Sequence, residues 1–199
     1  MKNEVTSIII CGVGGQGILL TSTILAKAAL YSGFDVKKSE VHGMAQRGGS
    51  VISQIRFGKR VYSPLVPSAS AKIIISLEKM EVLRYLFYLD PNNGIVIVND
   101  YKIPPASVLL GKEKYPENIE KLLKDKVKQV YIVNANTIAE KTGSFRMANV
   151  VMLAIASRFM EIPLEKFKYA LKECVPPKFY ESNLVAFEAG IQYHSSLFS

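Results

Sequence analysis

The sequence predicts a three-layer α/β fold: a mostly parallel sheet, a β-hairpin inserted into it, and a helical C-terminal part over about residues 144–199. Three observations lead there. Short aliphatic runs, Ile8–Cys11, Ile73–Ile75 and Ile95–Val98, recur between longer segments with helical spacing, the alternation that builds parallel sheets covered by helices on both faces. The first run ends in Gly12-Val-Gly-Gly-Gln-Gly17 and passes directly into a helical segment, which is a strand–turn–helix start. Apolar residues make up 49% of the 199 and charged residues 21%, enough apolar material for a core and too little charge for a disordered chain.

Taken in order, Val5–Cys11 reads as a buried strand and Ile18–Tyr31 as a helix with Leu20, Ile24, Ala28 and Tyr31 near one face, stopped by Gly33. Asp35–Glu40 is a short second strand, so the first 40 residues read as a Rossmann-like βαβ unit with a parallel pair. His42–Ser50 is polar and glycine-rich, hence a loop. Val51–Phe57 alternates as a strand, and Phe57-Gly-Lys-Arg60 reads as a hairpin turn returning through Val61-Tyr62. Ser63–Ser70 holds two prolines and is a loop. Lys72–Leu77 is a strand, Glu78–Leu89 a helix closed by Asp90-Pro-Asn-Asn-Gly94, and Ile95–Asn99 and Val130–Asn134 are strands with an amphipathic helix near Pro116–Lys128 between them. Ser144 can cap a helix over Phe145–Glu161, Pro163 can open the next, Pro176-Pro177 breaks it, and Asn183–Ser196 is the last. There is no linker and no internal repeat, so residues 1–199 read as one domain.

Composition excludes several chemistries. Cys11 and Cys174 are the only cysteines, without a Cys-x-x-Cys pair, and His42 and His194 the only histidines. No iron–sulfur cluster, zinc or other metal site is expected in this chain. The apolar runs fall far short of the ~20 residues that span a bilayer, and the start has no signal-peptide pattern; a cytoplasmic protein without a membrane partner is expected. The 25 basic against 17 acidic residues give +8, which reads first as solvated helix faces and, more sharply, as attraction to a polyanion: nucleic acid, a phosphorylated cofactor or an acidic partner. With no Trp and no basic–aromatic repeat, nucleic acid is not an expected partner. His194 reads as a surface residue.

Eight of the 13 glycines fall between positions 12 and 49. In the first cluster Gly12 permits a tight turn, Gly14 lets a phosphate approach the backbone, and Gly17 allows close helix–strand packing, with helix-start amides facing the ligand. A Walker A loop is excluded, because Ile18-Leu19 stand where Lys-Ser/Thr is required. The second cluster, Ser39-Glu-Val-His-Gly-Met-Ala-Gln-Arg-Gly-Gly-Ser-Val51, follows the second strand and is expected at the same carboxyl edge. Gly48 and Gly49 offer amides, Arg47 a guanidinium fork and Arg56 a further cation. Glu40 and His42 are the candidate catalytic groups, positioning a neighbour or moving protons. The anion-binding candidates are thus Gly12, Gly14, Gly15, Gln16, Gly17, Arg47, Gly48, Gly49 and Arg56. A nicotinamide-dependent reductase is an alternative, with Glu40 as the ribose-binding carboxylate; Lys37, Lys38 and the unusual Gly15-Gln16 speak against it.

Gly12–Gly17, Ser39–Ser50 and Ile55-Arg56 together resemble the gamma-type domain of 2-oxoacid:ferredoxin oxidoreductases. The wording Glu-Val-His-Gly-Met-Ala-Gln-Arg-Gly-Gly is most similar to the indolepyruvate type; Gln46 stands where the pyruvate and ketoisovalerate relatives usually carry an acidic residue. The motif match covers about residues 5–60, and beyond it rests on length and element order. The resemblance implies oxidative decarboxylation of an aryl 2-oxoacid with coenzyme A, electrons going to ferredoxin. It implies a large alpha subunit bearing thiamine diphosphate and iron–sulfur clusters, and a small chain that is inactive alone, completes the site and either binds an anion of coenzyme A or of the thiamine diphosphate complex or orients the substrate. A pyruvate or ketoisovalerate gamma subunit and a non-catalytic docking subunit are the other readings.

Overall fold

A computed structural model describes residues 5–42 and 48–197, without the side chains of His42, Ser196 and Leu197. Among the described residues six strands form one sheet: β1 (Thr6–Val13), β2 (Asp35–His42), β3 (Ser50–Gly58), β4 (Ile73–Ser76), β5 (Ile95–Asn99) and β6 (Gln129–Val133), in the order β2-β3-β1-β4-β5-β6. The pairs β1–β4, β4–β5 and β5–β6 are parallel. Helices flank both faces: α1 (Ile18–Tyr31), α2 (Glu81–Tyr85), α3 (Ala106–Leu109), α4 (Ile119–Lys126), α5 (Ala135–Lys141), α6 (Ala148–Ser157), α7 (Leu164–Cys174) and α8 (Pro177–Leu197).

The pleat explains the aliphatic runs. Ile8 and Ile10, Ile73 and Ile75, and Ile95 and Ile97 pack with α1, α6 and α7 on one face. Ile9 and Cys11, Ile74, and Val96 and Val98 pack with Val82 of α2 and Leu123 of α4 on the other. Strands buried on both faces carry no polar alternation, and each buried aliphatic side chain contributes about 1.5–3 kcal/mol. The helix α6 is buried along its whole length, as a helix apolar all round must be. It accepts α8 closely because position 190 is glycine: a Cβ there would stand 2.7 Å from the Ala154 Cβ and from the Val151 carbonyl oxygen.

The fold class agrees with the sequence reading; several details do not. The strands β1 and β2 are not a parallel pair. Strand β3 lies between them, antiparallel to both, so the hairpin is β2–β3, joined through the second glycine cluster. Phe57–Arg60 does not turn into a returning strand; instead the Val61 N–H donates to Asp35 Oδ2 at 2.8 Å. Pro64 and Pro67 leave room for only two strand residues after that turn. The helix expected from Glu78 starts at Glu81 and passes at Leu86–Tyr88 into a 3₁₀ turn. The Glu78 carboxylate accepts the Met80 and Glu81 N–H groups at 2.7 and 2.9 Å, which sets the start there. Sequence reading missed α3 and α5, the latter capped by Asn134 Oδ1 accepting the Thr137 N–H at 3.1 Å. Ser144 caps as expected, accepting the Arg146 N–H at 3.3 Å, but a 3₁₀ turn over Phe145–Met147 precedes α6, which ends at Ser157. The last helix begins at Pro177, where proline lacks only an amide the first turn does not use.

Candidate functional site

Strand β1 delivers Val13 to the carboxyl edge, where the chain turns through Gly14–Gly17 into α1. The turn is held by Gln16. Its Oε1 accepts the Val13 N–H at 2.7 Å and its Nε2 donates to the Leu77 carbonyl, just past β4, at 2.8 Å. Gly12 makes room for this: a Cβ there would stand 2.7 Å from Gln16 Oε1. Gly17 is the first residue before α1, with φ +83°, and its Cβ would stand 2.4 Å from Asn149 Nδ2. Gly15 differs. It has φ +99° and nothing within 4 Å of a Cβ position. Helix α1 starts with no side-chain cap and no acid in its first turn, so the positive end of its dipole stays available to an anion.

The described ends of the second cluster sit at the same rim, as expected. Ser50 pairs with Val13 and His42 with Val51, and the Gly14 N–H donates to the Gly49 carbonyl at 2.8 Å. The two loops are therefore bonded to each other, which occupies one of the amides foreseen for a ligand. Gly48 is exposed and Gly49 half-buried. Arg47 and the His42 side chain lie outside the described residues.

Two expected site residues are placed away from this rim's open space. Glu40 accepts from Ser22 Oγ of α1 at 3.0 Å and pairs with Lys38 at 2.8 Å. It lies two strands from β1, so a ribose bound at the first loop would not meet it, and the nicotinamide reading loses its carboxylate. Arg56 pairs with Ser7, at the far end of β1. It donates to Ser7 Oγ at 3.2 Å and to the Ser63 and Leu65 carbonyls at 3.0 and 3.2 Å. Six residue steps along β3 separate it from Ser50, roughly 20 Å, so it belongs to the opposite rim. His194 is half-buried, edge-on to Phe159, and burial followed by the nearby Arg158 lowers its pKa; it is not the plain surface residue expected.

Gly15 stands where three clefts meet, of about 510, 510 and 520 Å³. The first is walled by Asn99, Tyr101, Asn136, Arg146 and Asn149 opposite the glycine turn. Asn99 is fixed: its Oδ1 accepts the Ala135 N–H at 3.0 Å and its Nδ2 donates to Leu77 O and Asn136 Oδ1 at 3.2 and 2.8 Å. Asn149 Nδ2 donates to Gly17 O at 3.4 Å. Arg146 projects an exposed guanidinium on the lip shared by the first and third clefts. Sequence reading missed these residues because they reach the rim from β5, α5 and the start of α6, more than 80 positions from the glycines; only the strand order reveals them.

The two cysteines do not suit a cluster. Two thiols are too few, because a cluster usually takes four; burial pushes the Cys11 thiol up to about 12 and raises that of Cys174 as well. Among the described residues no group of three or more His, Cys, Asp and Glu is placed to hold a metal ion, and no helix is long and apolar enough to cross a membrane.

A mixed sheet whose glycine turn opens at the point where the chain changes direction between β1 and β4 is the ligand-binding layout of open α/β proteins. The chain belongs to the pyruvate ferredoxin/flavodoxin oxidoreductase family, which it matches over residues 7–193. Two relatives are indolepyruvate oxidoreductase subunits IorB: that of Archaeoglobus fulgidus is 43% identical over 188 residues, 92% of each chain, and that of Thermococcus kodakarensis 39% identical over 191 residues, 94% of each. In fold it is similar to the keto/oxoacid ferredoxin oxidoreductase gamma subunit of Geobacter sulfurreducens, with a TM-score of 0.71 at 24% identity over 96% of this chain and 99% of that one.

Proposed function

We infer that this chain is the small subunit of an indolepyruvate:ferredoxin oxidoreductase, inactive alone and working in the cytoplasm as one domain. The reaction converts an aryl 2-oxoacid, coenzyme A thiol and two oxidised ferredoxins to the aryl-acetyl thioester, carbon dioxide, two reduced ferredoxins and a proton. The observation that carries this reading is the likeness to indolepyruvate oxidoreductase subunits along almost the whole of both chains. Thiamine diphosphate and the iron–sulfur clusters belong to the large partner subunit, which also meets ferredoxin; the thiols here do not fit a cluster.

This chain's share is to hold an anionic part of coenzyme A against the rim. The amides of Gly15 and Gly17 and the start of α1 supply fixed donors, the Gln16 amide being taken by the Val13 carbonyl at 3.2 Å; Gly48 and Gly49 are a second set, and Arg47 and Arg146 supply positive charge. Fixing the polyphosphate there places the thiol end for reaction in the partner's site. The test is co-expression with the large subunit and an assay of coenzyme-A-dependent dye reduction. Indolepyruvate is expected to be turned over faster than pyruvate or 2-oxoglutarate, and Arg47→Ala to raise the coenzyme A KM. Activity with pyruvate alone would move the chain to the pyruvate and ketoisovalerate gamma class.

One feature favours the second reading, a docking subunit. Gln16 and Gly14 satisfy their groups within the chain, as loops that merely pack would do. Coenzyme A protecting the assembled enzyme, but not a variant with Gly15 replaced, from thermal unfolding separates the two.

A further inference from the structure

We propose that Glu81 is a positioning residue that holds Gly48-Gly49, through Ser50, in register with the first glycine turn; the proposal rests on the coenzyme A reading above. Glu81 opens α2, and only 3% of it is exposed. Its Oε2 accepts the Ser50 hydroxyl proton. Its Oε1 accepts Arg84 Nε–H at 3.1 Å. The Tyr85 hydroxyl, one turn on, stands 2.8 Å from the same Ser50 oxygen. Ser50 directly follows Gly49, whose carbonyl accepts the Gly14 amide. A continuous path thus runs from the Glu81 carboxylate through Ser50 and Gly49 to the first glycine turn.

The base of that path is itself fixed. The Glu81 N–H is held by Glu78 Oε2 at 2.9 Å, and Glu78 Oε1 accepts the Ile103 N–H at 3.1 Å and the Tyr115 hydroxyl at 2.6 Å. Glu81 lines none of the three clefts that meet at Gly15, so it acts through Ser50 and touches no ligand there. Its purpose follows from what it restrains. Two successive glycines have more backbone freedom to lose than any other pair, and a loop ordered before binding does not lose that freedom when the ligand arrives. A carboxylate this buried, answered by a hydroxyl and one guanidinium, is a strong tether, and it ends on the residue that closes the loop.

The test uses the enzyme assembled with its large subunit. Glu81→Gln keeps the shape and removes the charge; Tyr85→Phe and Ser50→Ala remove one partner each. Glu81→Gln is expected to raise the coenzyme A KM about tenfold and Ser50→Ala about as much, on the scale of one hydrogen bond to a charged group. Tyr85→Phe should raise it about twofold. Turnover at saturating coenzyme A should stay within about twofold for all three, and amide exchange at residues 48–50 should quicken in Glu81→Gln. Should Gly15→Ala raise the KM while folded Glu81→Gln and Ser50→Ala leave it unchanged, positioning by Glu81 is wrong and the coenzyme A reading stands. Should none of them move the KM, the coenzyme A reading fails and takes the proposal with it. A parallel fall of turnover, affinity and melting temperature in all three would reduce Glu81 to a structural tether.

Discussion

Within the glycine rim two regions behave differently. At Gly12 and Gly17 the missing Cβ is filled by the protein's own groups, Gln16 Oε1 at 2.7 Å and Asn149 Nδ2 at 2.4 Å. At Gly15 and Gly48 nothing lies within 4 Å. The same residue type at one rim thus serves two ends: the first pair lets the turn, the helix and the start of α6 close on one another, and the second leaves backbone open, Gly15 where three clefts meet and Gly48 at the exposed surface. A glycine motif therefore does not mark a ligand site by itself. In the proposed function the two rim glycines left empty by the protein are the ones that would face the anion; emptiness alone does not mark a site, because Gly33 and Gly111 are equally empty.

The largest expected effect breaks the closed region. Gly17→Ala combines left-handed backbone strain with a collision against a carboxamide that is almost fully buried. It should cost about 2–4 kcal/mol of stability in urea melts. Adding Asn149→Ala removes the collision and keeps the strain, so the double variant should recover about 1 kcal/mol or more relative to additivity. Strict additivity would show that packing against Asn149 is not why Gly17 is a glycine. Gly12→Ala comes next, at about 1–2 kcal/mol, because Gln16 must swing away and give up both its bonds. In the open region Gly15→Ala meets no neighbour and should cost about 1 kcal/mol from backbone strain alone. A loss as large as that of Gly17→Ala would erase the distinction between the regions.

The smallest effect belongs to the opposite rim, and to a charge there in place of a glycine. The Val61 N–H, and then Lys37, hold the Asp35 carboxyl below its ordinary value of 3.8. A carboxyl lowered on folding stabilises above its unfolded value and loses that contribution as pH falls through its folded one. The small advantage of wild type over Asp35→Asn in urea melts should therefore be present at about pH 5 and fade below about pH 3.8. An advantage independent of pH would show that the Val61 bond, not the charge, is what matters.

How much of this is readable from the chain depends on distance along it. Local chemistry was legible: the turn Gly12–Gly17, the Ser144 cap, the aliphatic strands and the shared rim of the two clusters all follow from neighbouring residues. Strand pairing was not. The alternation over Val51–Phe57 sets which side chains face which way but does not name a partner strand, so the sequence alone leaves open that β3 separates β1 from β2. Arg56 went astray for that reason, since its distance from the rim is a matter of register. Asn149, Arg146 and Glu81 were invisible as site residues because an arginine after a cap, or a glutamate at a helix start, has an ordinary local explanation. Their part at the rim comes from strand order.

The central claim is that the open glycines hold the anionic part of coenzyme A. The measurement that tests it most directly is the coenzyme A KM of the two-subunit enzyme carrying Gly15→Ala, a change that meets no side chain. The account predicts a rise of about tenfold or more, the loss of one or two charge-assisted amide bonds. A KM equal to that of wild type, in an enzyme that assembles and turns over indolepyruvate, would contradict it.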